Sequence, residues 1–110
     1  MSFAAISSSA ILSAVAESDK NSFISELIDE IKKNKDKPLE IRKFYIANKE
    51  RISDHQAFSS ELYNYVLDNG IVTDFKTVMR MSDILFQMNQ VIDKEIQFYN
   101  LITTIASSLN

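Results

Sequence analysis

The 110-residue chain has no cysteine and no tryptophan, and only one histidine, one glycine and one proline. Without cysteine it cannot hold a disulfide scaffold, a CxxC zinc site or an iron–sulfur cluster, and it has no thiol for catalysis. Hairpins and sheet corners draw on Gly, Asn and Pro, so one Gly70 and one Pro38 leave few places for them, and the expected class is all-α. Charge is missing from both ends. All charged side chains lie between Glu17 and Glu95, so residues 1–16 and 96–110 carry none. The balance of 12 Lys and Arg against 15 Asp and Glu gives a net charge of -3, which argues against nucleic acid as a bulk partner. With 45% hydrophobic and 25% charged residues, the chain has the make-up of one globular or assembling domain.

The opening stretch, MSFAAISSSAILSAVA, has no basic residue ahead of Lys20 and so lacks the positive n-region of a cleaved secretory signal. Serines at positions 7, 8, 9 and 13 interrupt it, and it falls short of the roughly 20 apolar residues that span a bilayer. As a helix it carries Phe3, Ile6, Ala10, Ile11 and Val15 on a loose apolar stripe opposite the serines. That pattern suits a protein partner better than lipid, because an interfacial lipid helix usually carries Lys or Arg on its polar face. Three regions follow from this distribution: an uncharged segment 1–18, a charged helical region 19–70, and a C-terminal assembly helix 71–110.

Within the charged region, Ser18 and Asp19 are helix-capping types, and Phe23, Ile24, Leu27, Ile28 and Ile31 recur at helical spacing with Ser25, Glu26, Asp29 and Glu30 opposite. Lysines at 32, 33, 35 and 37 crowd the end of this helix, where the dipole is negative, and Asn34–Lys37 is the expected break before Pro38 opens the next element. That third helix carries Ile41, Tyr45 and Ile52 on one side, with Phe44 and Ile46 nearby. Ser53-Asp54-His55-Gln56 has the form of a capping box, so a helix either restarts there, burying Phe58, Leu62, Tyr65 and Val66, or runs straight through. Asn69-Gly70 supplies a left-handed stop, and Thr73-Asp74 is a further capping pair.

From Asp74 onward there is no Gly or Pro, and Val78, Met81, Leu85, Met88, Ile92, Glu95, Tyr99, Ile102, Ala106 and Leu109 follow alternating steps of three and four. Such heptad spacing is the seam of a coiled coil or long helical hairpin; a continuous helix of about 36 residues would be about 54 Å long. A second row at Ile84, Val91, Phe98 and Ile105 makes the apolar face too wide for one neighbour to cover. In an isolated monomer this face of residues 78 to 109 is therefore expected to be only partly covered. The polar face near the end offers only Thr, Ser and Asn, and Thr103, Thr104, Ala106, Ser107 and Ser108 are small enough for close helix approach.

Residues that could carry catalytic chemistry are few. His55 is the lone histidine and fits the first turn of a helix. Asp29 with Glu30, Glu26 with Glu30 and Glu50 with Asp54 form carboxylate pairs, but they alternate with lysines as on a solvated helix face, and nothing supplies metal partners. One glycine cannot make a phosphate-cradling loop. The expectation is no enzyme, no cofactor, no metal and no small-molecule substrate. Residues 32–51 hold eight bases against three acids, a local +5, and Lys32, Lys33, Lys35, Arg42 and Lys43 are candidate docking residues for acidic partner helices. Nucleic acid, the rival partner for that segment, would bind with a steep salt dependence.

The stretch Ile71-Val72-Thr73-Asp74-Phe75-Lys76, then Val78-Met79-x-Met81, then Leu85-x-x-Met88-Asn89, and the uncharged end Leu101 to Asn110 resemble the C-terminal region of inner-rod subunits of bacterial type III secretion systems. The resemblance covers about forty residues. It implies a short chain without a cleaved signal that places its C-terminal helix in a helical assembly in the cell envelope, between export gate and needle. Partners would then be identical subunits, needle proteins and export-gate proteins. Residues implied as assembly contacts are Val78, Leu85, Met88, Ile92, Tyr99, Ile102 and Leu109; the second row adds Phe98 and Ile105. The alternative from a different class is a small helical adaptor or regulator, cytoplasmic in place, that binds one protein partner through the basic region.

Overall fold

A computed structural model describes residues 22–109. Helix α1 occupies residues 22–33, α2 Pro38–Asn48, α3 His55–Asp68, α4 Phe75–Met88 and α5 Lys94–Ser107, with one turn of 3-10 helix at Lys49–Arg51. No strand occurs among the described residues, so the all-α expectation is met. The proposed Ser18 and Asp19 cap and the Phe3 to Val15 stripe lie outside the described residues.

Most boundaries follow from local chemistry. The Asn34 backbone N–H donates to Glu30 O at 3.0 Å and that of Lys37 to Asn34 O at 2.7 Å, closing α1 where the lysines begin. Pro38 sits in the first turn of α2, where its missing N–H costs nothing. The helix through residues 38–52 does not run on: Ile52 takes an extended backbone and α3 restarts at His55. The cap is Asp54 rather than Ser53, its carboxylate accepting from the N–H groups of Gln56 and Ala57 at 3.0 and 3.1 Å. A carboxylate at the cap also complements the positive helix end.

The end of α3 is a Schellman closure. Gly70 adopts φ +65°, its N–H donates to Leu67 O, and the Ile71 N–H reaches back to Val66 O at 2.9 Å. The left-handed backbone is why glycine stands there. Asp74 then caps α4, accepting from both the Thr77 N–H at 2.9 Å and the Thr77 hydroxyl at 2.6 Å.

The expected long C-terminal helix is two fourteen-residue helices folded back on each other. The heptad pattern continues through residues 89–93, but backbone polar groups are better satisfied by a break. Asn89 and Gln90 close α4 with N–H bonds to Phe86 O and Gln87 O. The Lys94 ammonium donates to Met88 O at 3.0 Å and Val91 O at 3.3 Å, satisfying carbonyls left free by the helix end. Asp93 caps α5, accepting from Glu95 and Ile96 N–H. Gln97 ties the two arms, donating to Ile84 O and to the Gln87 side chain at 3.2 Å each. The folded hairpin also covers what a lone helix would leave bare, because α5 packs against α2 and α3 as well as α4.

The core is one cluster fed by every helix. Its centre is a chain of rings: Phe23 of α1 lies 5.5 Å from Phe58 of α3, Phe58 lies 5.7 Å from Phe98 of α5, and Phe98 lies 5.2 Å from Tyr45 of α2. The Arg51 guanidinium covers the outer edge of this chain, 4.4 Å from the Phe23 ring centre. Helix α5 buries Phe98, Leu101, Ile102, Thr104, Ile105 and Ala106, more of its circumference than any other helix. The small residues at its end are what allow three neighbours so close, and the Thr104 hydroxyl is satisfied within the helix by Asn100 O at 2.8 Å. Ser59, the other buried polar residue, donates to His55 O in the same way.

Candidate functional site

Two adjoining hollows open where α5 begins. The smaller, about 290 Å³, lies between α2 and α5 and is lined by Arg42, Tyr45, Ile46, Asp93, Glu95, Ile96 and Tyr99. The larger and more open, about 640 Å³, is lined by Ser53, Asp54, His55, Ile92, Asp93, Lys94 and Glu95. Asp93 and Glu95 form the ridge shared by both. The two capping aspartates bring this about: each starts a helix, and the two starts lie side by side with the C-terminal half of α2 behind them.

At the back wall the Tyr45 hydroxyl meets His55 Nε2 at 2.8 Å. Burial pushes the Tyr45 phenol well above its ordinary value, with the Glu95 and Asp93 carboxylates adding to it. Burial lowers the His55 pKa, while Glu95, Asp54 and Asp93 pull it back up and Lys49 adds to the lowering. Both shifts favour neutral groups. With the imidazole proton on Nδ1, the phenol donates to Nε2 and the pair closes on itself. The carboxylates are also engaged, Asp54 and Asp93 as caps and Glu95 with Lys49 at 3.2 Å. What the hollow presents outward is Ile92, fully exposed, and Ile96, 67% exposed, beside the half-exposed Ile46 and the Arg42 side chain. The outward side of the hollow is therefore apolar with one cation at its edge.

The residues expected to form an assembly interface divide. Met88, Phe98, Ile102 and Ile105 are fully buried in the chain's own core, and Val78, Leu85, Tyr99 and Leu109 are partly buried against it. Only Ile92 stands wholly in solvent. Of the candidate docking bases, Lys32, Lys33, Lys35, Arg42 and Lys43 are all exposed. They are not one patch: Lys35 donates to Leu109 O at 3.1 Å, Lys43 pairs with Glu40 at 3.3 Å, and Arg42 faces the hollow. The structure thus brings Arg42, Ile92 and Tyr99 to one neighbourhood. Tyr99 is fixed there by donating its hydroxyl to Pro38 O at 2.7 Å. The carboxylate pairs resolve as solvated partners, Glu26 with Arg51 and Glu30 with the Asn34 amide.

The outer face of α4 is a further apolar row beside the heptad seam. Phe75, Met79 and Phe86 are 78%, 51% and 65% exposed, on the side away from the buried Met81, Ile84 and Met88. The signal was present as spacing: steps of four and seven place these side chains within about 40° of each other on a helix. It was masked by the stronger inward row. Ile46 sits one position beside the buried Tyr45 and reads as an edge of the same row, while Ile96 stands two positions before the buried Phe98.

Among the described residues no group of His, Cys, Asp or Glu has the placement to hold a metal ion, and no helix is long and apolar enough to cross a membrane. No family model, curated protein or solved structure matches the chain.

Proposed function

We propose that this chain is a non-catalytic helical subunit that works by binding other protein chains through outward apolar side chains. The observation that carries the reading is where most of the large exposed apolar residues fall: Phe75, Met79 and Phe86 on the outer face of α4, and Ile92 and Ile96 with the neighbouring Ile46 around the start of α5, Leu39 at the head of α2 being the remaining one. An exposed apolar stripe on a helix that does not need it for folding suits a contact with another chain. In the hollow Asp54 and Asp93 serve as caps, Glu95 pairs with Lys49, and Tyr45 and His55 bond each other, which agrees with a binding role.

The particular form suggested by the resemblance of residues 71–110 is an inner-rod subunit of a type III secretion apparatus, associating with identical, needle and export-gate subunits. The burial of Met88, Phe98, Ile102 and Ile105 within one chain instead favours an adaptor that keeps its fold when bound. Photocrosslinking in cells from probes at Ile96 and Phe86 separates these. Capture of needle, export-gate or identical subunits supports the rod; capture of one other protein supports the adaptor. No capture of any chain from either position overturns the binding role.

A further inference from the structure

We infer that the outer face of α4 is a self-complementary surface on which a second copy of this chain docks, the two α4 helices running antiparallel about a twofold axis. The inference rests on the binding role above and names its partner.

Phe75 and Phe86 stand at opposite ends of the exposed stripe with Met79 between them. Eleven residues make about three helical turns, so the two rings project in nearly the same direction, about 17 Å apart. A twofold axis between them sets each Phe75 beside the partner copy's Phe86, and an isologous contact of this kind closes at two copies. Parallel pairing would set Phe75 against Phe75 and Phe86 against Phe86, and would place the charged flanks of the two copies on opposite sides of the contact.

Charge selects between the two arrangements. Lys76 and Asp83 lie on the same flank of the stripe, seven residues apart, with Arg80 further out on that flank. All three are exposed, and none has an ion-pair partner in its own chain among the described residues. In an antiparallel pair the same flank of each helix faces its counterpart run backwards, which sets Lys76 within side-chain reach of the other copy's Asp83, twice. In a parallel pair the twofold runs along the helices and sets this flank against the partner's opposite flank, which holds Ser82 and no charge, so Lys76 and Asp83 stay without partners. The chain therefore carries on this face both an apolar centre and a rim whose charges pair in only one orientation.

Sedimentation of the purified full chain over a range of concentrations reads the association, with circular dichroism checking that each variant keeps its helices. The expected result is a monomer–dimer equilibrium weakened at least tenfold by Phe86→Asp and by Lys76→Asp. The swap Lys76→Asp with Asp83→Lys should restore it in the same chain. A chain that stays monomeric at all concentrations overturns the inference, and so does a dimer indifferent to Phe86→Asp. Dimerisation lost in Lys76→Asp and not regained in the swap overturns the antiparallel arrangement. If the Phe86 photocrosslink captures a different protein while the chain sediments as a monomer, self-docking fails and the binding role stands.

Discussion

Helices α4 and α5 have equal lengths and share one heptad pattern, yet they stand differently in the molecule. Helix α5 is enclosed by α2, α3 and α4, and its outward apolar positions are confined to its first turns, at Ile92 just before it and Ile96. Helix α4 lies on the outside, buries Met81, Ile84 and Met88 on one face, and presents Phe75, Met79 and Phe86 on the other. An apolar row therefore has two meanings in this chain. On α5 it is what the fold consumes, and on α4 the outer row is surplus to the fold and available to a partner.

The comparison breaks most sharply at Ile102. An aspartate there places an uncompensated charge in the centre of the core, so Ile102→Asp should abolish cooperative folding of the whole chain, α1 to α3 included, as read by circular dichroism and urea titration. Retention of folded middle helices would instead mean that α5 is an independent arm. Next in size, Phe98→Ala removes a ring packed against Phe58, Tyr45 and His55 and should cost roughly 3 to 5 kcal/mol in the same titration. Asp93→Ala removes the cap of α5 and should cost about 1 kcal/mol, most visibly as fraying of the first turn. On the other side of the comparison, Phe86→Ser should change folding stability by less than about 0.5 kcal/mol while reducing capture of partner chains.

The smallest expected effect is on pH dependence. Because burial lowers the His55 pKa in the folded chain, the unfolded chain binds more protons as pH falls below the ordinary 6.5. That contribution to stability is therefore full above 6.5 and declines on acidification. Tyr45 runs the other way: its raised pKa means that the unfolded chain loses its proton first, so stability is full below 10.0 and declines above it. Urea midpoints measured across pH should fall on both sides of neutrality, and His55→Gln should flatten the acid side.

How much of this was legible depends on the kind of signal. Stops and starts that rest on one residue's backbone chemistry were readable: the turn after Lys33, Pro38 at the head of α2, Gly70 after α3 and Asp74 before α4. The inward rows of α1 and α3 were readable because each has a single apolar face, with Phe23, Leu27 and Ile31 or Phe58, Leu62 and Val66 at helical spacing. The break at residues 89–93 was not, since no Gly or Pro marks it and the heptad pattern continues through it. What decides it is Asp93 and Lys94 satisfying backbone groups at both helix ends, and such residues are common inside helices too. The hollow was only partly legible, because Arg42, His55 and Tyr99 come together through packing of α2, α3 and α5 and share no local pattern.

Amide hydrogen exchange on the full chain, resolved residue by residue, tests the central point that the C-terminal pattern is a closed hairpin with α5 at the heart of the fold. The amides of Val91, Ile92 and Asp93 should exchange fast between two protected stretches, and those of Leu101 to Ala106 should be among the slowest, opening only with global unfolding. Unbroken protection from Phe75 through Ser107, or exchange of α5 ahead of α3, would contradict it.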